Sequence, residues 1–519
     1  MPGSAKVLLV GLDAAEPSLI RQWAAEGRLP HLARLIESGH AANLRSCAAE
    51  FPDEVWPSTY SSVNAAVLGK YYYIQPRQGS NGLEMVGDEP KAEQFWVTAS
   101  RHGKRCAVID APKTALGPAV NGIQLARWGT HATRCEMAAH PPELLPQILA
   151  KHGRYPLETS DNHGRSPAEY RKLRDQLIEG ARKHGALFRD LISREPWDLF
   201  FCAFSETHAA GHQFWHMLDA SHPRHDPRDR HGLNSALREI YAAVDAELGT
   251  LIDAAGPAAD VIVFSGHGMK GQYHGRDFIP TLLEMWGFAG ERDIEPDPSR
   301  ETRRVLRRDA LRMLKEAVPI QVQYAVKSLL PSALEDAIVC RVMGSAKLNP
   351  RARVNYVPNN DLNPAFRVNL KGRDPDGIVE PGREYEELIE RLTRRLAELI
   401  DPATGQPAIG RITRLRDLYH GPKLEVLPDL TAMWAGEGWI GEVRSPGYGA
   451  VAGDHNDLRT GGHNSDGFLV MRGPDFPADF ACGAPTNKDL APTVLDLLGV
   501  PIPEFMEGRS LARQTVRSS

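Results

Sequence analysis

Apolar and polar positions divide this chain into short buried runs separated by longer amphipathic stretches. Lys6-Val-Leu-Leu-Val-Gly-Leu-Asp13, Trp197-Asp-Leu-Phe-Phe-Cys-Ala-Phe204 and Asp260-Val-Ile-Val-Phe-Ser265 are almost continuously apolar. Runs without alternation suit strands covered on both faces. Residues 101–112 read as turn, strand and loop, and 125–130, 367–371, 429–434 and 468–471 are further short strand candidates. Between them lie stretches of helical period at 17–27, 29–38, 141–152, 166–193, 233–254, 385–401 and 487–498. In one of these, Tyr241, Val244, Leu248 and Leu251 share a face. The alternation predicts an α/β fold with a mostly parallel central sheet and helices on both faces. From 276 to 351 the pattern changes to Arg- and Leu-rich helical stretches at 301–317 and 320–330. The expected organisation is therefore an α/β core of 1–275 and 352–519 with an inserted helical cap at 276–351.

Composition narrows the class. The 519 residues, 42% hydrophobic and 24% charged, suit one large domain with insertions or a few smaller ones. A net charge of -5 makes no electrostatic case for nucleic acid or an anionic membrane. No apolar run approaches the ~18 residues of a membrane span, and Met1-Pro-Gly-Ser-Ala-Lys6 carries no signal-peptide core. Cys47, Cys106, Cys135, Cys202, Cys340 and Cys482 are scattered, with no C-x-x-C pair, as in a reducing compartment. A soluble, cytoplasmic protein is expected, of unspecified oligomeric state.

Candidate chemistry gathers at the ends of the apolar runs. His208, His212 and His216 follow the second run at i, i+4 and i+8, with Ser205 and Thr207 as helix starters. On a helix, His208 and His212 share a face one turn apart and can share a metal; the alternative is a surface helix that carries histidines. Asp13 closes the first run and suits either a divalent cation or a helix N-cap. His267 lies between glycines past the third run, as a ligand or as a solvated residue in a Gly-rich turn. The hydroxyl-rich stretch 51–73 offers a place for an attacking group or an anion, or else a cap at Ser58 or Thr59 with Trp56 and Tyr60 packed beneath. Arg303, Arg304, Arg307, Arg308 and Arg312 form a solvated helix face or hold an anionic substrate.

Together these pieces resemble the alkaline phosphatase superfamily, in its type I phosphodiesterase / nucleotide pyrophosphatase-like branch. The strand to Asp13 is similar to the first metal-ligand strand. Phe51-Pro-Asp-Glu-Val-Trp-Pro57 resembles the nucleophile segment, and Ser205-Glu-Thr-His-Ala-Ala-Gly-His212 the Asp-x-x-x-His ligand helix. Val263-Phe-Ser-Gly-His-Gly-Met269 resembles the Ser-Asp-His-Gly-Met strand, and Gly462-His463-Asn-Ser-Asp-Gly467 the last ligand loop. Asn369–Arg373, Asp489–Pro501 and Glu507–Leu511 are further matches. The resemblance implies the fold and two metal sites, from which this chain departs. Where the family has Asp, His208 stands, so one site becomes His208, His212 and His463. Gly266 replaces the second site's Asp, leaving Asp13 and His267. Val55 stands where the family has its Thr or Ser nucleophile.

The expected activity is therefore that of a metal-dependent hydrolase of a small phosphate ester, phosphodiester or related anionic ester. One divalent metal, most simply zinc, would deliver a metal-bound water at the three-His site, and a second metal stays open. Asp13 and His267 would position substrate or shuttle a proton. Glu54 or Asp53 would supply a carboxylate as base or ligand, and Glu206 and His216 would orient the ligands. Asp454, His455 and Asp466 are lesser loop candidates. Two other readings stand beside this one. The first is a repurposed lyase or transferase on the same fold, and the second is a non-catalytic ligand-binding relative.

Overall fold

A computed structural model describes residues 4–130, 135–157, 166–222, 224–271, 275–290, 294–299, 302–305, 347–359, 363–436, 440–453, 459–477, 480 and 482–512. The three apolar runs lie side by side. Ala5–Leu12 pairs in parallel with Trp197–Phe204 on one edge and with Asp260–Ser265 on the other. The whole sheet has eight strands, in the spatial order His40–Arg45, Asp466–Arg472, Asp260–Ser265, Ala5–Leu12, Trp197–Phe204, Cys106–Ile109, Gly122–Ala126 and Ala138–His140.

Both faces of the central strand are apolar, which is why it reads as a run rather than an alternation. Leu8, Val10 and Leu12 pack with the helices Pro17–Ala25, Pro167–Ile192, Glu206–Leu218 and Ala236–Ala255. Val7 and Leu9 pack with Trp56, Tyr60, Trp96 and the helix Leu490–Leu497.

The topology sets the site. Parallel strands end on one edge, so Asp13, Ser205 and Gly266 all emerge there. Asp466–Arg472 runs antiparallel to Asp260–Ser265, with Phe468 opposite Ser265. Its start therefore lies at the same edge, and His463 just ahead of it joins residues some 200 or more positions earlier in the chain.

Two local expectations change. The helix Pro17–Ala25 takes Glu16 as its N-cap, so Asp13 is not its cap. The helical pattern at 301–317 begins instead as a strand: Arg303–Val305 pairs in parallel with Gly449–Ala452. Arg303 pairs there with Glu442 at 2.7 Å, at an exposed edge. Residues 306–346, with Arg307, Arg308, Arg312 and the pattern at 320–330, lie outside the described residues. So do Asp454 and His455.

A second apolar cluster joins Phe278, Leu282 and Trp286 to Val354, Leu388, Leu392, Trp434 and Val451. Residues 354–451, assigned from sequence to the core, thus contribute a packing unit of their own. Among the described residues no helix is long and apolar enough to cross a membrane.

Candidate metal centre

The helix Glu206–Leu218 leaves the sheet directly after Phe204. Its start is fixed from both sides. Thr207 Oγ1 donates to the Asp13 carbonyl at 2.6 Å, and Ser205 Oγ donates to the Gly129 carbonyl at 2.8 Å. Inside it, His208 and His212 are buried on one face, as their i, i+4 spacing requires.

The third ring comes from a two-stranded antiparallel ribbon, Gly268–Gly271 with Gly461–Asn464, which places His463 opposite Met269. Backbones touch where helix and ribbon meet. A Cβ on Gly211 would stand 2.7 Å from Met269 Cγ, and one on Gly461 would collide with the Gly211 carbonyl. Thr460 N–H donates to the His212 carbonyl at 2.7 Å and closes the seam.

One nitrogen from each of His208, His212 and His463 lies within 4.8 Å of the other two. The rings of His208 and His463 are almost parallel, 12° apart with centroids at 5.1 Å, and His212 crosses them at 83° and 75°. His212 Nδ1 lies 2.7 Å from the Gly461 carbonyl oxygen. A carbonyl only accepts, so Nδ1 carries the proton and Nε2 presents its lone pair. That outer hydrogen bond is the usual way a protein sets the tautomer of a metal-binding histidine. Three imidazole donors, two buried and one half-buried, fit a zinc-type cation with a further position open.

Asp13 and His267 stand outside this nitrogen trio. His267 packs edge-on against His463, with centroids 4.5 Å apart. Burial, the neighbouring His212 and the Lys113 charge hold its pKa down at about 3. The Asp13 carboxylate accepts from Trp56 Nε1 at 2.7 Å. Burial raises its pKa to about 7, against the opposing effects of Trp56 and Lys113.

Lys113 thus acts on both groups, and nothing in its sequence surroundings singled it out. It pairs with Asp53 at 3.0 Å, and its side chain is only 12% exposed. Asp53 and Glu54, adjacent in sequence, part company. Glu54 is buried beside Cys47, the Ala65 backbone and the Lys488 and Glu507 charges, and burial raises its pKa to about 8.

The hydroxyls are turned away as well. Ser58 and Thr59 both donate to the Val55 carbonyl, at 3.1 and 2.7 Å, and both contact Asn487 Nδ2. The helix there starts at Val55, so neither residue is its cap. Asp466 is exposed, at the start of its strand.

Glu206 and His216, expected as supports, hold the frame rather than the rings. Glu206 Oε1 accepts from Tyr155 at 2.9 Å and meets His184 Nδ1 at 2.6 Å, and His184 Nε2 meets Asp110 at 3.1 Å. His216 meets Thr460 Oγ1 at 3.1 Å.

The sequence profile of the type I phosphodiesterase / nucleotide pyrophosphatase family matches residues 7–440, most of the chain. The chain belongs to this family. It is a hydrolytic enzyme of the alkaline phosphatase superfamily. Among curated proteins, a sequence comparison finds no match.

Solved structures similar to this type I phosphodiesterase-family chain include an inactive murine ectonucleotide pyrophosphatase / phosphodiesterase 5 in complex with AMP. It is 13% identical, covers 96% of both chains and has a TM-score of 0.46. The human ectonucleotide pyrophosphatase / phosphodiesterase 5 is 12% identical over 96% of both chains, with a TM-score of 0.47. Phosphonoacetate hydrolase from Sinorhizobium meliloti, in complex with phosphonoformate, is 13% identical over 96% of both chains, with a TM-score of 0.49.

Proposed function

We propose that this family member is a metal-dependent hydrolase of a small phosphate ester, phosphodiester or related anionic ester. It would use one divalent cation, most simply zinc, held by His208, His212 and His463. The observation that carries the reading is the convergence of three imidazole nitrogens from a helix and a ribbon, with the His212 tautomer set by Gly461. A cation bound there supplies Lewis acidity toward an anionic ester and activates water at neutral pH.

The chain's own groups support attack by water rather than by a side chain. Val55 has no hydroxyl, and Ser58 and Thr59 are engaged with the Val55 carbonyl and Asn487. Lys113 supports an anionic substrate, because its charge reaches both Asp13 and His267. His267, packed against His463, and Asp13, at the same strand edge, would hold substrate or move a proton. Glu54 faces Cys47 and is assigned no proton transfer. The cysteines support a cytoplasmic site of action: Cys47, Cys106, Cys135, Cys202 and Cys482 are all free. No nucleic-acid or membrane partner is proposed.

One observation favours a second reading. Val55 and Gly266 pack together where the family's nucleophile and carboxylate would stand, which suits a repurposed lyase or transferase as well. Elemental analysis followed by a panel of phosphomonoesters, phosphodiesters and sulfate esters decides. About one divalent ion per chain with turnover of one ester class supports the hydrolase. Bound metal with no ester turned over supports the repurposed enzyme. No metal in unchelated protein overturns the metal-dependent reading.

A further inference from the structure

His463 is carried by the ribbon and His267 directly precedes its first strand, and a single carboxylate from elsewhere in the chain clamps the ribbon. Glu16 Oε2 accepts from the Met269 backbone N–H at 3.0 Å and from Asn464 Nδ2 at 3.0 Å. Met269 is two residues past His267, and Asn464 is the residue after His463. Asn464 Nδ2 also donates to the Met269 carbonyl at 3.2 Å, so the bridge ties both strands of the ribbon.

The other oxygen has a different task. Glu16 Oε1 accepts from Ser18 N–H at 3.1 Å and from Ser18 Oγ at 2.7 Å, which caps the helix Pro17–Ala25. The Glu16 N–H donates to Tyr241 Oη at 3.0 Å, which fixes the backbone from a second helix. The whole residue is 7% exposed. Gly268 makes room for it, since a Cβ there would collide with Glu16 Oε2.

Capping alone needs one oxygen, and Ser or Asp would do it at less cost in side-chain entropy. The length of glutamate is used by the second oxygen, which reaches the ribbon. Glu16 also lies three residues past Asp13, so one side chain links the first strand's end to the loops carrying His267 and His463.

We propose that Glu16 is a positioning residue: by clamping Met269 and Asn464 it sets where His463 stands relative to His208 and His212, and so sets the affinity of the three-histidine site for a divalent cation. This inference rests on the metal-site reading above. Groups that bond a metal ligand directly typically govern about 10- to 100-fold in affinity, and Glu16 acts one bond further out.

Glu16→Ser is the discriminating variant, because serine caps a helix but cannot reach the ribbon. Asn464→Ala is the second, because it removes one arm of the clamp without touching the helix. For full-length wild type and both variants, the zinc dissociation constant is measured by competition with a chromophoric chelator. The visible spectrum of the cobalt-loaded protein and the thermal midpoint of the metal-free protein are recorded alongside.

The expected result is zinc binding weakened about tenfold in Glu16→Ser and less in Asn464→Ala, with altered cobalt spectra and little change in the metal-free midpoint. If Glu16→Ser does not fold, Asn464→Ala decides. A folded variant that keeps wild-type zinc affinity and cobalt spectrum overturns the clamp and leaves the metal site standing. A wild-type protein that binds no zinc or cobalt overturns the metal-site reading and the clamp with it.

Discussion

Val55 and Gly266 exclude each other's side chains: a Cβ on Gly266 would stand 2.6 Å from Val55 Cγ1. Each departure from the family pattern is thus fitted to the other. A valine fills the space that a side chain at 266 would need, and a glycine leaves that space open. The prediction is that Gly266→Ala destabilises the fold by about 1–3 kcal/mol through overpacking, and that Val55→Ala relieves it. Urea unfolding of the two single variants and the double variant measures the coupling. Additive effects would mean that the two positions are independent.

Metal stoichiometry should depend on each of the three rings. Wild type is expected to hold about one zinc per chain, and His208→Ala and His463→Ala to hold close to none after identical purification. His216→Ala, whose ring meets Thr460 and His222 and lies outside the three-nitrogen group, should keep its metal. Elemental analysis settles all three, and equal loss from His216→Ala would redraw the ligand set.

Glu54 gives a prediction that separates structure from chemistry. Its pKa is raised by burial from 4.5 to about 8, so folding favours the neutral acid. That contribution is complete below pH 4.5 and is lost as pH rises to about 8, where the buried group must ionise. Glu54→Gln should therefore gain stability over wild type as pH rises from 4.5 to 8 and hold the gain above. Turnover should stay within a few-fold of wild type. A loss of about a hundredfold or more in kcat would instead mark Glu54 as a base.

His184 shows the opposite balance. Burial disfavours its imidazolium, but the Glu206 and Asp110 carboxylates outweigh burial and raise its pKa from 6.5 to about 9. The contribution to stability is present in full below pH 6.5 and disappears as pH climbs to about 9. Its size is on the order of 3 kcal/mol. NMR titration of the metal-free protein should find one imidazole still protonated at pH 8. A His184 signal titrating near 6.5 would contradict the ion-pair description.

Lys113 should matter to substrate more than to the fold. Lys113→Gln is expected to raise KM for an anionic ester about tenfold and to flatten the dependence of kcat/KM on ionic strength. Steady-state kinetics at low and high salt checks both. An unchanged KM would confine Lys113 to its pair with Asp53.

Much of this was legible in the chain. Unbroken apolar runs marked the central strands, because strands buried on both faces show no alternation. The i, i+4 spacing of His208 and His212 placed both rings on one helix face, because helical spacing is local. What escaped notice depended on contacts far apart in sequence. Glu16 looks like any acidic residue ahead of a helix, and its partners Met269 and Asn464 lie 253 and 448 positions away. Lys113 looks like a loop lysine, and Asp110 and His184 become a charged pair only when strand and helix meet. At Arg303–Val305 a helical pattern gave way because the strand Gly449–Ala452 offered hydrogen bonds that local propensity could not match.

The glycine seam between Gly211 and Gly461 bears on ion choice. Backbone contact leaves the helix and the ribbon no room to approach further, and the Thr460 bond to His212 resists their parting. The three nitrogens are therefore held at a nearly fixed spacing, by a frame that adjusts little to ionic radius. Calcium, which needs six to eight oxygen donors at ~2.3–2.6 Å, finds neither the atoms nor the slack. At the proposed site the seam would work as a gauge: it would favour small cations that accept few nitrogen donors, before any ligand is compared for affinity.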